Sequence, residues 1–156
     1  MVPYSRKIAP HWRDKQGSER EMINYKSLNL SVKMAIIMGI FLPLAETVRR
    51  SNQLLDVTKF FNWFDDYLLG LALLTAAYLV KKRKNNSISY LIAGWGINVG
   101  ALFLSFLGQF NYYQTATGDP GIFSTTLVAI VKGIILVYML IGLHLSIKSN
   151  NKTGAL

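Results

Sequence analysis

Residues 88–110 contain no Asp, Glu, Lys or Arg, and this uncharged run is the feature that most constrains the fold. About 20 predominantly apolar residues are enough for a helix to cross the hydrocarbon core of a bilayer. Three further apolar segments occupy residues 28–48, 63–80 and 122–147. Four such helices cannot form a soluble core, because only loops and short tails remain to supply a polar shell. The sequence therefore predicts an all-α integral membrane protein with four transmembrane helices in an antiparallel bundle.

Basic residues are concentrated on one side of these four predicted spans. The tail 1–27, the turn 81–87 and the tail 148–156 carry most of the 17 Lys and Arg residues, whereas the connections 49–62 and 111–121 carry few. Lys and Arg are enriched in cytoplasmic loops, so both termini are expected in the cytoplasm. The expected location is the bacterial cytoplasmic (inner) membrane. The mitochondrial inner membrane is the alternative, although acidic residues in the first tail do not suit a presequence.

Composition excludes several classes of function. The chain has no cysteine and two histidines, which excludes a disulfide framework, a thiolate nucleophile and a thiolate-ligated iron–sulfur cluster. The net charge of +9 comes from residues beside the predicted spans, so we expect the lipid bilayer rather than nucleic acid as a partner. No nucleophile–base arrangement is visible, and neither an enzyme activity nor a cofactor is expected.

The connection 49–62 has apolar residues at helical spacing, among them Leu54, Val57 and Phe61. Polar residues, including Asp56, lie between them. This pattern predicts a short amphipathic helix in the outer membrane interface, between the first and second spans.

Two ionisable residues lie inside the predicted spans, where charges are costly and mark functional candidates. Lys132 lies roughly 10 Å below the outer boundary, and Glu46 lies near the outer end of the first span. Helical side chains tilt toward the helix N-terminus, so these two side chains lean toward the same depth. We therefore predict that Glu46 is the partner of Lys132, with Asp65 or Asp66 as alternatives through water. Such a group either ties two helices together or exchanges protons or cations, and Lys132 can also snorkel or pair with another subunit.

Backbone features in the spans predict a kink and close packing. Pro43 removes the hydrogen bond to the carbonyl of Gly39 and should kink the first span. Gly96 and Gly100 form a GxxxG pair that permits close approach of another helix, within the chain or from a partner. Asn98, near the middle of the third span, is positioned to hydrogen-bond across helices.

His144 lies near the cytoplasmic end of the fourth span and is a weak candidate for haem ligation. The other histidine, His11, is in the tail, so an interfacial polar anchor is the preferred interpretation. These observations together predict a noncatalytic accessory or scaffold subunit of a larger membrane complex, associated with other subunits or with itself. The alternative is a small oligomeric transporter, or an ion- or proton-coupled carrier, that uses Glu46 and Lys132.

Overall fold

The computed structural model describes residues 12–53, 55–59, 61–115 and 118–150, and the outer parts of both predicted tails lie outside these ranges. The described residues form four α-helices: α1 (Trp12–Arg49), α2 (Phe61–Lys81), α3 (Ser87–Gln109) and α4 (Thr125–Asn150). A 3₁₀ turn at Val57–Lys59 precedes α2, and a second, Phe110–Gln114, follows α3.

Among the described residues, three segments are long and apolar enough to cross a membrane: Tyr25–Arg49, Ser87–Gln114 and Thr125–Asn150. This confirms the prediction of an all-helical chain with helices of membrane-spanning length. The shorter α2 begins and ends within two residues of the second predicted span. The largest difference is at α1, which begins at Trp12 rather than near residue 28. Residues 12–27 are rich in good helix formers such as Arg, Lys, Glu and Met, and this explains the extension.

Large apolar side chains cover much of the outer surface. Leu104 is 70% exposed, Ile134 is 65% exposed and Leu44 is 60% exposed, and similar residues lie along α1, α3 and α4. Soluble proteins rarely expose contiguous apolar patches of this kind. The outer surface is therefore suited to contact with lipid.

The helices pack in a ring in which α1 contacts α2 and α4, and α3 also contacts α2 and α4. The core between them contains fully buried Leu73, Ala77, Leu91 and Trp95 together with Met139. The two ends of this ring, taken along the helix axes, differ in the residues that they contain. The Arg49 end is where α1 and α3 end and α2 and α4 begin, and the Ser31 end is defined by Ser31, Trp95, Gly142 and Ser146.

The closest helix approach is between α1 and α2. A Cβ placed on Gly70 would lie 2.6 Å from Gly39 O and 2.9 Å from Pro43 Cδ, so only glycine fits there. The hydroxyl of Thr47 donates to Pro43 O at 2.6 Å and lies 2.5 Å from the hydroxyl of Tyr67. Helix α1 continues through Pro43. Proline has no N–H, so Gly39 O lacks its usual helical donor, and this oxygen faces Gly70 of α2.

The glycine pair of α3, Gly96 and Gly100, has no close neighbour within the described part of the chain. A Cβ on Gly96 or Gly100 would meet nothing within 4 Å, so this pair does not pack against the described part of the chain. The register of α3 turns Gly94 inward instead, where a Cβ would lie 3.5 Å from Ala76 Cβ. Asn98 does reach across helices as predicted, because its Nδ2 donates to Leu69 O at 3.2 Å and to Gly94 O at 2.9 Å.

The connection between α1 and α2 is not the amphipathic helix that the spacing predicts. Its described residues form turns and a 3₁₀ turn at Val57–Lys59, and Phe61 already belongs to α2. Its first residues are held against the α3–α4 connection, because Gln53 is buried and its Nε2 donates to Pro120 O. Gln53 and Arg50 are both buried. A connection that turns these polar side chains inward cannot at the same time present the predicted apolar helical face to the membrane interface.

The Ser31 end is closely packed, and the four residues that define it are uncharged. Trp95 is fully buried, and its Nε1 donates to Ser31 Oγ at 2.9 Å. Ser31 Oγ also lies 2.9 Å from Gly142 O and 2.7 Å from Ser146 Oγ. A Cβ on Gly142 would lie 2.5 Å from the Trp95 ring, so α3 and α4 are in direct contact at this point. Small residues and short hydrogen bonds therefore close this end of the ring.

Candidate functional site: a charged cavity at the Arg49 end

Two arginines on the same helix, α1, compensate the charge of Glu46. Arg49 Nη1 donates to Glu46 Oε2 at 2.9 Å, and Arg50 Nε donates to Glu46 Oε1 at 2.6 Å. These residues stand three and four positions after Glu46, the spacing at which side chains on a helix meet. Glu46 is only 5% exposed, and two guanidinium groups compensate its buried charge.

Arg49 also links α1 to the α3–α4 connection. Its Nη2 donates to Asp119 Oδ2 at 2.7 Å, and Gln109 Nε2 donates to the same oxygen at 2.9 Å. Gly121 N donates to Asp119 Oδ1 at 2.9 Å, and Ile122 N donates to Arg49 O at 3.0 Å. Burial raises the pKa of Asp119, but the hydrogen bonds from Arg49, Gln109 and Gly121 outweigh burial and hold this pKa below its ordinary value.

Lys132 has a different set of partners from the one that the sequence suggests. Its Nζ donates to Gln109 Oε1 at 2.9 Å and to Ser105 O at 3.3 Å. In the described part of the chain, no carboxylate lies within 4 Å of Lys132, so the direct Glu46–Lys132 ion pair is not formed. Gln109 instead connects Lys132 to Asp119 through its two amide atoms. Glu46 is paired with Arg49 and Arg50 of its own helix, and this explains why it does not pair with Lys132.

A cavity of about 890 Å³ lies between the helices at this end. Glu46, Lys132, Asp65 and Asp66 all line it, so the structure brings the four predicted ionisable candidates around one space. Apolar side chains from α1, α3 and α4 form much of the remaining wall, among them Leu42, Val48, Leu102, Leu127, Ile135 and Met139. The cavity therefore combines an apolar wall with charged groups.

Asp65 and Asp66 form the acidic part of the wall. Asp65 is exposed, and its Oδ1 accepts a hydrogen bond from the backbone N–H of Asp66 at 2.9 Å. Asp66 is half-buried. Among the described residues, neither carboxylate has a Lys or Arg nitrogen within 4 Å.

Asn98 adds an acceptor to the cavity wall. The side chain is fully buried, and its Nδ2 is occupied by Leu69 O and Gly94 O. Its Oδ1 is buried and has no hydrogen-bond partner among the described residues. Buried side-chain oxygens in proteins usually have a partner, so this atom is unusual.

The remaining candidate, His144, is exposed on α4 and does not line the cavity. No group of three or more His, Asp or Glu residues suited to a metal ion occurs within the ranges that the structure describes. His11 lies outside those ranges.

Gln109, Asp119 and Gln53 belong to the polar residues of the site that are not among the sequence candidates. They join the network through contacts between distant helices and loops, which local spacing does not reveal. The pairing of Glu46 with Arg49 and Arg50 had a local signal, because i+3 and i+4 cations follow the carboxylate directly.

Comparisons with family models, curated proteins and solved structures found no match to this chain. The function is therefore inferred from the cavity and from the residues that line it.

Proposed function

We propose that the chain is a four-span protein of the bacterial cytoplasmic membrane that binds and carries a small amphiphilic molecule in the cavity at the Arg49 end. The observation that supports this function is a cavity of about 890 Å³ with an apolar wall and charged residues on it. Pockets for small molecules in proteins commonly measure about 300–1,000 Å³ and combine a mainly apolar lining with a few polar groups.

The proposed topology has all four helices crossing the membrane in alternating directions, with both termini in the cytoplasm. Contacts between neighbouring helices support the alternation: Thr47 meets Tyr67 while Gly39 meets Gly70, so residue numbers rise on α1 as they fall on α2. The basic turn after α2 supports the orientation, because positively charged loops remain in the cytoplasm.

Single-cysteine labelling tests this orientation, since the chain has no native cysteine. An impermeant maleimide should label Ser124→Cys, at the Arg49 end, in intact spheroplasts. Lys84→Cys, in the turn between α2 and α3, should be labelled only after permeabilisation. Both positions are exposed in the structure. The reverse pattern would contradict the orientation.

The charged groups of the cavity fall into two sets with different roles. Glu46 is compensated by Arg49 and Arg50 within α1, which makes it part of the scaffold. Asp65, Asp66 and Lys132 have no ion-pair partner in the described ranges, so their charges are available to a ligand. Ionisable residues in membrane-spanning helices commonly mark substrate pathways. The carrier role therefore belongs to Lys132 and the two aspartates rather than to Glu46.

Ligand binding is tested by protection of a thiol on the cavity wall. Ser105→Cys lines the cavity, whereas Thr126→Cys is an exposed control on α4 outside it. Both variants are placed in nanodiscs and exposed to a thiol-reactive dye after a panel of cationic, anionic and neutral amphiphiles. A cavity ligand should slow labelling of Ser105→Cys and leave Thr126→Cys unchanged. An absence of selective protection by every amphiphile in the panel would contradict the proposal.

Transport is tested in proteoliposomes with an amphiphile that protects Ser105→Cys. Uptake should be faster than in protein-free liposomes and should fall in Lys132→Met. Lys59→Met removes an exposed cation that pairs with Asp56 away from the cavity, and it should transport normally. Uptake equal to that of protein-free liposomes would contradict the carrier role.

The accessory-subunit function is a second candidate, favoured by the open space at Gly96 and Gly100. Both glycines face outward with no neighbour within 4 Å of an added Cβ, so another membrane helix can approach α3 there. Purification in mild detergent should then recover larger subunits, and the double change Gly96→Leu and Gly100→Leu should release them. Gly133→Leu, on α4, is the control glycine change. Recovery of this chain alone would contradict this second function.

A further inference from the structure

The ionised groups in and next to the cavity do not balance. The acidic side chains are Glu46, Asp65, Asp66 and Asp119, and the basic side chains are Arg49, Arg50 and Lys132. With all of them ionised, one negative charge is in excess. An uncompensated charge beside an apolar wall is unfavourable, and either a proton on one carboxylate or a bound monovalent cation removes the excess.

The unpartnered oxygen of Asn98 adds a second requirement. The orientation of the amide is fixed, because Nδ2 donates to two carbonyl oxygens, Leu69 O and Gly94 O. Turning the amide over would place Oδ1 against both carbonyls, where it has no donor. The free atom on the cavity wall is therefore an acceptor, and a buried acceptor without a partner is costly. A ligand that fits must bring a hydrogen-bond donor.

The two requirements meet at nearly the same place on α2. Asn98 bonds to the carbonyl of Leu69, and Asp65 and Asp66 precede Leu69 by four and three residues. Residues at these spacings share one face of a helix, about 5 Å apart along its axis. One small head group can therefore donate to Asn98 Oδ1 and place its positive charge beside the two carboxylates.

We propose that the cavity takes a monovalent organic cation with N–H donors, namely a primary or secondary ammonium group on an apolar body. One N–H bonds to Asn98 Oδ1, the charge lies beside Asp65 and Asp66, and the body packs on residues such as Leu102 and Met139. A quaternary ammonium satisfies the charge but leaves Asn98 without a donor, and a carboxylate satisfies neither. This inference rests on the proposed function and names its ligand class.

Three ligands with the same compact apolar cage separate these requirements: 1-adamantylamine, its N,N,N-trimethyl derivative and adamantane-1-carboxylate. At pH 7 the amine is protonated, because alkylamines ionise near the ordinary lysine pKa of about 10.4. Binding to the full-length protein in nanodiscs is measured by calorimetry, and empty nanodiscs correct for partitioning into lipid. The amine should bind about tenfold more tightly than the trimethyl cation, the value of one charge-assisted hydrogen bond, and the carboxylate should bind most weakly.

Two variants separate the contribution of the N–H donor from that of the positive charge. Asn98→Leu should abolish the tenfold preference for the amine over the trimethyl cation. Asp66→Asn should weaken both cations about tenfold, because a close charge pair is lost for both. Asp56→Asn is the matched control, since this exposed carboxylate lies in the α1–α2 connection outside the cavity and should change neither affinity. The comparison of ligands on the unmodified protein needs no variant, so poor folding of Asn98→Leu does not weaken the test.

Each contrary result overturns a different statement. Equal binding of the amine and the trimethyl cation means that Asn98 does not select N–H donors, and the inference fails while the proposed function stands. Tightest binding of the carboxylate refutes the cation assignment in the same way. If none of the three ligands binds and no amphiphile protects Ser105→Cys, the proposed function itself fails.

Discussion

The two ends of the helix ring differ in packing: side chains fill the space between the helices at the Ser31 end, whereas a cavity remains between them at the Arg49 end. At the Ser31 end, Trp95 fills the centre and Gly142 lets its ring lie directly against the backbone of α4. At the Arg49 end, charged and apolar residues surround a cavity of about 890 Å³. The Ser31 end is closed by a neutral indole packed against glycine and serine residues, whereas the end that contains the cavity carries the charged side chains.

This difference separates stability from binding. Hydrogen bonds at the Ser31 end are short, neutral and mutually satisfied, which suits a permanent contact. The Arg49 end contains one hydrogen-bonded network, built on Arg49, and one set of groups without partners among the described residues, which includes the Asp66 carboxylate and Asn98 Oδ1. We therefore expect substitutions at the Ser31 end and at Arg49 to change folding, and substitutions at Asp66 to change ligand affinity.

The largest effect is expected for Arg49→Met, which removes the cation between Glu46 and Asp119. Asp119 would keep a fully buried carboxylate without its ion pair, a loss of about 3–5 kcal/mol in the free energy of unfolding. Arg50→Met is the matched control, because Glu46 keeps Arg49, and a loss of about 1 kcal/mol is expected. Reversible unfolding in mixed detergent micelles measures both. Equal losses would show that Arg49 is not the central residue of this network.

The next largest effect is expected for Gly142→Ala at the Ser31 end. The new methyl group would lie 2.5 Å from the Trp95 ring, so α3 and α4 must separate, with a loss of about 2 kcal/mol. Gly133→Ala on the same helix is the control, since its methyl group would meet Phe106 at an ordinary 3.5 Å. That change should be neutral or slightly stabilising. The same unfolding assay applies, and similar results for the two variants would contradict direct Trp95–Gly142 packing.

Acid should act on the Arg49 end alone. The folded-state pKa of Asp119 lies below its ordinary value, so its ionised form stabilises the fold at neutral pH, and this stability is lost as pH falls below about 4. Asp119→Asn should therefore be less stable at pH 7 and should lose less stability on acidification. Asp65→Asn, at an exposed carboxylate with no Lys or Arg nitrogen within 4 Å among the described residues, serves as the control. An unchanged acid dependence in Asp119→Asn would contradict this assignment.

The smallest effect tests whether the two ends are independent. Ser31, which contacts Gly142, precedes Arg49 by 18 residues on α1, a separation of about 27 Å along the helix. Residues this far apart usually contribute additively, within about 0.5 kcal/mol. The combined variant Arg49→Met and Gly142→Ala should therefore lose the sum of the two single losses. A clear departure from additivity would mean that closure of the Ser31 end controls the cavity.

Much of the helical architecture was predictable because apolar runs of membrane length have few alternatives. The bounds of α2, α3 and α4 differ from the predicted spans by about three residues or fewer. The start of α1 was predictable only in part: hydropathy marks the apolar part of the helix, whereas Ser18 and Glu21, at the spacing of a capping box, favour a helix that begins earlier and runs into the first span.

Side-chain pairing was predictable only where it is local. The partners of Glu46 follow it by three and four residues, whereas the partner of Lys132, Gln109, is on another helix. The rotation of each helix about its axis decides such contacts. The sequence of a helix that is apolar on most sides gives little indication of this rotation. The same reason explains the glycines: the GxxxG pair faces outward, while the close approach uses Gly39 and Gly70 on separate helices.

Helix α1 is longer than a bilayer is thick. Its 38 residues extend about 57 Å, whereas a bilayer with its headgroups measures about 40–45 Å. Residues 12–24 precede the apolar part and add about 20 Å, which exceeds the depth of one headgroup layer. In an orientation along the membrane normal, the N-terminal part of α1 would therefore extend beyond the headgroup layer.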